Sequence, residues 1–331
     1  MGMNRVAKRL IQSAFTLYAV ATISFVLIHQ LPGGPLAYLR AQMSQTGQNP
    51  ESINNLANVY LSFRPDEPLY LQYIDYIGGV LQGDLGTSFS VGEPVSRVLG
   101  EAIPWTVFIM GTNLVIAFFV GVTLGGFLAY NEGSRFDISV SVGSTFLQSI
   151  PYYVLAIIML MYLAFYNPFF PTGGRYGANV EPGFSIAFLG SAIHHGALPI
   201  LSHAIPTIGG WAIGMRSNAI QVRGEDYLRV ARLRGLRQSR IATRYVTRNA
   251  ILPLYTSVMI AIGAAMGGSV ITETIFSYPG VGYYMFEAIQ RQDFPLMMGG
   301  FILITFGVVG GLTIADLTYS RLDPRAGGVG E

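Results

Sequence analysis

Six long apolar runs separated by more polar stretches set the pattern of this chain. The first, Leu10–Ile28, follows Arg5, Lys8 and Arg9. At about 1.5 Å of rise per residue, a helix of that length crosses roughly 30 Å of hydrocarbon. It is longer than the apolar region of a secretory signal, and the HQLPGGP that follows offers no small-x-small cleavage site, so it is expected to stay as a spanning helix. The second run, Trp105–Tyr130, carries Gly111, Gly121, Gly125 and Gly126, where neighbouring helices can approach closely. A third covers Ile138–Phe165 with a kink expected at Pro151, and a fourth covers Gly196–Ala219 with Pro199, His203 and Pro206 inside it. Ala250–Ile271 and Leu296–Leu317 complete the set. The pattern predicts an all-α integral membrane protein with six spanning helices.

Between the first two runs, Pro32–Pro104 sets seven acids against Arg40, Arg64 and Arg97, and reads as a sizeable extracytoplasmic segment. Within it, Leu69, Tyr73, Tyr76 and Ile77 recur at helical spacing, predicting an amphipathic helix over Pro68–Leu81 closed by Gly83. That helix is read as a cap packed on the ends of the spans, with direct contact to substrate as the alternative. A second outer loop, Asn167–His195, closes on His194 and His195, and a third contains ETIFSYPGVGYYMFEAIQRQDFP. The resulting division is 1–31 for the first tail and helix, 32–104 for the outer segment, 105–318 for a five-helix core and 319–331 for a tail; a cytoplasmic loop, 221–249, interrupts the core.

Composition sharpens this. Over 331 residues, 51% are hydrophobic and only 11% charged, with a mean hydropathy of +0.45; soluble proteins carry about 25% charged residues. Of the 20 basic residues a single one, Lys8, is lysine, and it lies between Ala7 and Arg9. A P-loop needs its lysine in Gly-x-x-x-x-Gly-Lys-Ser/Thr, so the chain is not expected to bind ATP in this way or to be an enzyme. With no cysteine, thiol catalysis and Cys-ligated zinc are excluded. Charge is also asymmetric. The inner segments hold fifteen basic residues, nine of them arginines between Arg216 and Arg248, against five in the outer segments. By the positive-inside rule both termini and the 221–249 loop are expected to be cytoplasmic.

The central loop, GEDYLRVARLRGLRQSRIATRYVTRNAILP over Gly224–Pro253, lies in water, because a charge at the bilayer centre costs roughly 2.5–3.5 kcal/mol. Asp226 is expected to cap a short helix with Glu225 beside its positive end. The helix, Tyr227–Arg234, would present Tyr227, Val230, Ala231 and Arg234 on one side, flanked by Arg229 and Arg232. Gly235 is expected to end it in a left-handed cap, with Leu236 packing back. A second helix is expected from Ser239 through Arg248. The alternative is a basic loop that holds topology and touches anionic lipid.

Asp226, Tyr227, Arg229, Ala231, Gly235 and Leu236, followed by Arg248, Asn249, Ala250 and Pro253, resemble the cytoplasmic EAA loop of ATP-binding-cassette (ABC) importer permeases of the dipeptide, oligopeptide and nickel type. Further similarity lies in QYIDYIGGVLQGDLGTSF, Ile103-Pro104, SIPYYVLAIIML, ETIFSYPGVG, Asp293–Pro295 and Asp323–Arg325. Arg234 departs from the lysine usual in the peptide-type proteins and keeps the charge. The resemblance implies a type I importer transmembrane domain, a second homologous permease, two ATPase subunits that hold the ATP and Mg, and an extracytoplasmic binding protein. It also implies that Glu225, Asp226, Tyr227, Arg229, Ala231, Arg232, Arg234 and Gly235 couple the chain to an ATPase. Peptide is the expected cargo, with oligosaccharides or nickel complexes as alternatives; a secondary transporter or channel acting alone is the remoter one.

Other residues are weaker candidates. His194 and His195 lack an acidic or thiol neighbour in sequence and are read as loop packing rather than a metal site. His29 and His203 are read as satisfied by nearby backbone. Glu273 is placed on the translocation path or outer gate, or paired with Arg291, or capping the loop after it. Asp316 is read as pairing with Arg321. No nucleic-acid partner is expected, since the arginines cluster at the membrane face, where lipid is the expected neighbour.

Overall fold

The computed structural model describes residues 2–30, 67–266 and 270–322. The expectations for 32–66 and 323–331, and the Asp316–Arg321 pair, lie outside the described residues. Among those described, every regular element is a helix, and an isolated β-bridge joins Thr87 and Pro94. In chain order they are α1 (Gly2–Gln30), α2 (Leu69–Gln82), α3 (Val95–Tyr130), α4 (Arg135–Ser149) and α5 (Tyr152–Leu160), which continues as a π-helix over Met161–Tyr166. Then come α6 (Ile186–Arg223), α7 (Asp226–Leu233), α8 (Gln238–Arg240), a π-helix over Ile241–Thr247 and α9 (Arg248–Ala250). The chain finishes with α10 (Leu252–Met266), α11 (Val270–Ile275), α12 (Val281–Gln290) and α13 (Phe294–Leu322).

Ala7–Gln30, Val95–Tyr130 and Phe294–Ile314 are each long and apolar enough to cross a membrane, and α4 with α5 passes as a pair bent by 85°. The expected third span is therefore broken rather than kinked. Ile150 is extended and donates its N–H to Leu147 O, and Pro151 then starts α5 from a non-helical conformation. The fourth expected span lies within α6, where Ser202, His203 and Thr207 dilute its apolar character. The fifth is represented by α10, which has 15 residues, and α11. Two boundaries also move. α3 begins at Val95, so Ile103-Pro104 lies inside a helix rather than in the outer segment. α6 begins at Ile186, where Ser185 Oγ accepts the Phe188 N–H, so His194 and His195 sit within a helix and do not close a loop.

The chain forms two compact units. The first comprises residues 1–106, 266–274 and 279–313. Its core sets Ala21, Phe25 and Ile28 of α1 against Tyr76 of α2 and Phe294 and Met298 of α13. Phe25 stacks on Tyr76 with ring centroids 5.4 Å apart and meets Tyr73 edge-on at 5.3 Å. α2 therefore packs on helix ends, as the cap reading expects, except that Leu69 faces outward. Gly83, at φ 80°, closes it in a Schellman motif: its N–H bonds Val80 O, and Asp84 N–H bonds Gly79 O.

Two buried carboxylates tie distant segments of this unit together. Asp293 accepts from Ser88 Oγ at 2.6 Å, Ser90 N at 2.9 Å, Ser90 Oγ at 2.8 Å and Leu296 N at 3.2 Å, joining GTSF to the start of α13. Glu273 accepts from Thr106 Oγ1 at 2.9 Å and from Tyr283 N at 2.9 Å, and Thr106 Oγ1 in turn accepts from Val281 N at 2.8 Å. A side chain at Gly280 would collide with both Glu273 and Thr106.

The second unit comprises residues 107–265, 275–278 and 314–331. Gly121 and Gly125 press α3 onto α6, where an added Cβ would overlap Trp211 Cβ and Ala212 O respectively. Gly111 and Gly126 have open space or their own helix beside them, so only half of the expected glycines serve as contact points. Gly209 lets α6 meet the backbone of α4 at Ser144. On the outer loop, Gly174 N–H bonds Ser277 O at 3.1 Å.

Candidate coupling site

After α6 the chain turns at Gly224 and enters α7 through an extended Glu225. Glu225, not Asp226, is the N-cap; neither side chain caps the helix, and Asp226 lies in the first turn against the positive end of the dipole. The C-terminus matches the expectation. Gly235 adopts φ 71°, its N–H bonds Arg232 O at 2.9 Å, and Leu236 N–H bonds Ala231 O at 3.3 Å. These are the two bonds of a Schellman motif, and Leu236 packs back on the cluster beneath the helix.

At 3.6 residues per turn, α7 has one face built on Leu228 and Ala231, which are 0% and 4% exposed. They pack with Ala129 of α3, Met215 and Ala219 of α6, Ile241 and Val246 of the π-helix, and Ala250. Ala231 is therefore not on the outward surface where the sequence placed it. That surface consists of Asp226, Arg229, Val230, Leu233 and Arg234, and Leu233 is 82% exposed. Tyr227 and Arg232 flank it. Arg232 lines a cleft of about 50 Å³ with Tyr130, Arg223 and Gln238.

One polar link ties this helix to its support and two more tie that support together, and the sequence disclosed none of them. Asn249 Nδ2 donates to Tyr227 Oη at 3.1 Å and to Tyr245 O at 2.7 Å, joining the two halves of the loop motif. Asn218 Nδ2 donates to Ala250 O at 3.1 Å. Arg223 Nη1 donates to Ala129 O and lies 3.3 Å from Glu132 Oε2. Above them, Arg216 forms a two-pronged pair with Asp137, Nε to Oδ1 at 2.6 Å and Nη2 to Oδ2 at 2.8 Å. Asp137 is 1% exposed and also accepts from Gly133 N and Ser141 Oγ. An acid at the mouth of an apolar helix was the available signal, because a buried charge demands a partner. Its partner lies 79 positions away, and Arg216 in sequence reads as one more cytoplasmic arginine.

The weaker candidates resolve as structure. Glu273 is 0% exposed and is held by Thr106 and Tyr283, so it does not line an open path in this conformation. Arg291 pairs instead with Glu287 at 2.7 Å. A nitrogen of His194 bonds Phe169 O, and one of His195 bonds Ser191 O, both at 2.8 Å. His29 bonds Phe25 O and Gln72 Oε1. His203 departs from expectation: its ring lies tilted by 35° against Tyr152 at 4.4 Å, and its buried Nδ1 has no hydrogen-bond partner.

A basic helix packed by one face between two apolar segments fits a permease-type transmembrane subunit. Comparison with known families agrees: residues 121–328 match the binding-protein-dependent transport system inner membrane component, and the chain belongs to that family of ABC permease subunits. It is 30% identical over 321 residues to the oligopeptide transport system permease protein of Bacillus subtilis, covering 97% of this chain and 98% of that one. With a di/tripeptide transport system permease protein of Pseudomonas aeruginosa the identity is 30% over 338 residues, 98% of each chain. A dipeptide transport system permease protein of Escherichia coli is 29% identical over 94% of each. Members of this family are transport subunits rather than enzymes.

Proposed function

We propose that this chain is the permease subunit of an ABC importer for peptides, providing half of the translocation path. It works beside a second homologous permease, with cargo delivered by an extracytoplasmic binding protein and ATP and Mg held by two ATPase subunits. Six spans, cytoplasmic termini and an outer segment between α1 and α3 belong to the same reading. The names of the relatives favour peptide over oligosaccharide or nickel complexes.

The observation that carries the proposal is α7. One face is keyed into the second unit by Leu228 and Ala231, and the other offers Val230 and Leu233 within a rim of Asp226, Arg229 and Arg234. That is the form in which a short amphipathic helix fills a groove on a partner. When ATP draws the ATPases together, a helix so supported carries the motion into α6 and the π-helix rather than bending alone. The two nucleotide states drive alternating access only by binding one conformation of the permease better than the other.

In the assembled complex, Leu233→Cys is expected to crosslink to an ATPase subunit and Ala231→Cys is not, because Ala231 faces inward. Gly235→Ile is expected to leave membrane insertion intact and abolish uptake. Normal uptake by Gly235→Ile, together with no crosslink from Leu233, Val230 or Arg229, would overturn the coupling role.

A further inference from the structure

The break between α4 and α5 opens on a cavity that the coupling site does not use. About 440 Å³ in volume, it is lined by Gln148, Pro151, Tyr152, Thr207, Gly210 and Trp211, among others, and lies entirely within the second unit. Its position is unusual for a membrane segment. A helix ending at Ser149 and another starting at Tyr152 leave terminal carbonyls and amides that a continuous helix would pair, and Pro151 supplies no side-chain cap. Unpaired backbone is tolerated at membrane depth only where it is buried in protein or faces a water-filled cavity.

The lining has a definite chemistry. Gln148 offers an amide that both donates and accepts, Tyr152 a phenol and Trp211 an indole N–H, Thr207 adds a hydroxyl oxygen whose hydrogen is already given to His203 O, and none of the lining residues is charged. Gly210 leaves the α6 backbone bare, and a Cβ there would stand 3.3 Å from Gln148 Oε1. Gly209, one residue earlier, holds the two walls together at Ser144. Aromatic faces with neutral donors and acceptors suit a peptide backbone and make little distinction among its side chains. A charged site would hold some peptides tightly and repel others, whereas a transit site must release what it binds.

We infer that this cavity is a transit subsite for the peptide backbone, with Gln148 and Trp211 as its polar and aromatic contacts. The assignment rests on the peptide-importer proposal and extends it to named residues. It also predicts that the cavity is wet. A cysteine at Gln148 should form a reactive thiolate, and one at Phe146, on the exposed apolar side of α4, should stay protonated in lipid.

Since the chain contains no cysteine, the test is direct. Gln148→Cys and Phe146→Cys are made in the full complex, in right-side-out and inverted vesicles, and treated with a charged methanethiosulfonate. Labelling at Gln148→Cys is expected to be at least about tenfold faster. It should slow when trialanine, the binding protein and ATP are supplied together, and its completion should block trialanine uptake. Gln148→Leu and Trp211→Ala should each lower uptake at least about fivefold at unchanged recovery of the second permease, an aromatic or amide contact being worth about 1 kcal/mol or more. Equal labelling at the two positions, or normal uptake after Gln148 is modified, overturns the subsite while wild-type uptake leaves the importer standing. Loss of the second permease from either variant identifies the cavity as a subunit interface instead. A wild-type complex that takes up none of dialanine, trialanine and pentaalanine removes the peptide reading and this subsite with it.

Discussion

α2 and α7 are two short amphipathic helices that end in the same way, each closed by a left-handed glycine in a Schellman motif, yet their outer faces differ. α2 anchors itself through Tyr76 and turns Tyr70, Ile74 and Leu81 outward, with Asp75 as its one charge. α7 anchors itself through Leu228 and Ala231 and sets its exposed Leu233 among arginines and Asp226. A wide apolar face without cations suits a nonpolar surrounding, while a small apolar centre within a charged rim suits a protein groove in water. The cap fixes how each helix ends; the outer face decides what it meets. Leu81 and Leu233 make the contrast sharp, being equally exposed at 82%.

The largest expected effect lies beneath α7. Arg216→Ala strands the carboxylate of Asp137 and is expected to cost about 3–5 kcal/mol, seen as a fall in the thermal unfolding midpoint of the purified complex. Asp137→Asn should cost less, and a shift as large as that of Arg216→Ala would mean that the pair is not the source. The anchors come next. Tyr76→Ala and Leu228→Ala should each destabilise by about 3 kcal/mol, and only the second should reduce uptake beyond its effect on recovery. Gly83→Val and Gly235→Val each force a branched side chain into a left-handed backbone, at about 1–2 kcal/mol. Of these two, only Gly235→Val should uncouple ATP hydrolysis from transport; equal uncoupling by Gly83→Val would erase the distinction between the helices. The smallest stability effect is expected for Leu81→Glu and Leu233→Glu, both within about 0.5 kcal/mol. Co-purification of the ATPase should nevertheless be lost in Leu233→Glu alone.

Local chemistry is legible in the sequence. Gly83 and Gly235 announced their caps because a glycine followed by a helix stop has few other uses, and Tyr73, Tyr76 and Ile77 showed the inner face of α2 through their spacing. Which face of α7 turns inward was not legible. Leu228 and Leu233 are both apolar and lie on opposite sides, so eight residues of period admit either answer, and packing against Met215 and Ala219 makes the choice. Glu273 stayed open between the path, Arg291 and a cap on the loop after it for a related reason: an acid in an apolar setting signals a partner, and the sequence cannot say that the partners are the Thr106 hydroxyl and the Tyr283 amide beyond that loop. The Asp293 knot was visible only as two separate motifs, GTSF and Asp-Phe-Pro, whose joining is a fact of tertiary structure. Pro151 marked its site correctly and also accounts for the extended Ile150, since a proline disfavours the helical region for the residue before it; the 85° size of the turn is set by how α4 and α5 each pack on α6, which the sequence does not show.

α6 is one uninterrupted helix of 38 residues, with a contour of about 57 Å at the usual rise. It carries Thr207 and Trp211 midway, Arg216 a turn below and Arg223 at the entrance to α7. No loop separates the cavity wall from the neck of the docking helix. Tilt at the α7 end is therefore displacement at the cavity, in the manner of a rocker arm whose two ends are cut from one piece. Under the proposed coupling role, the phase between the two events is set by one helix rather than by a relay of separate parts.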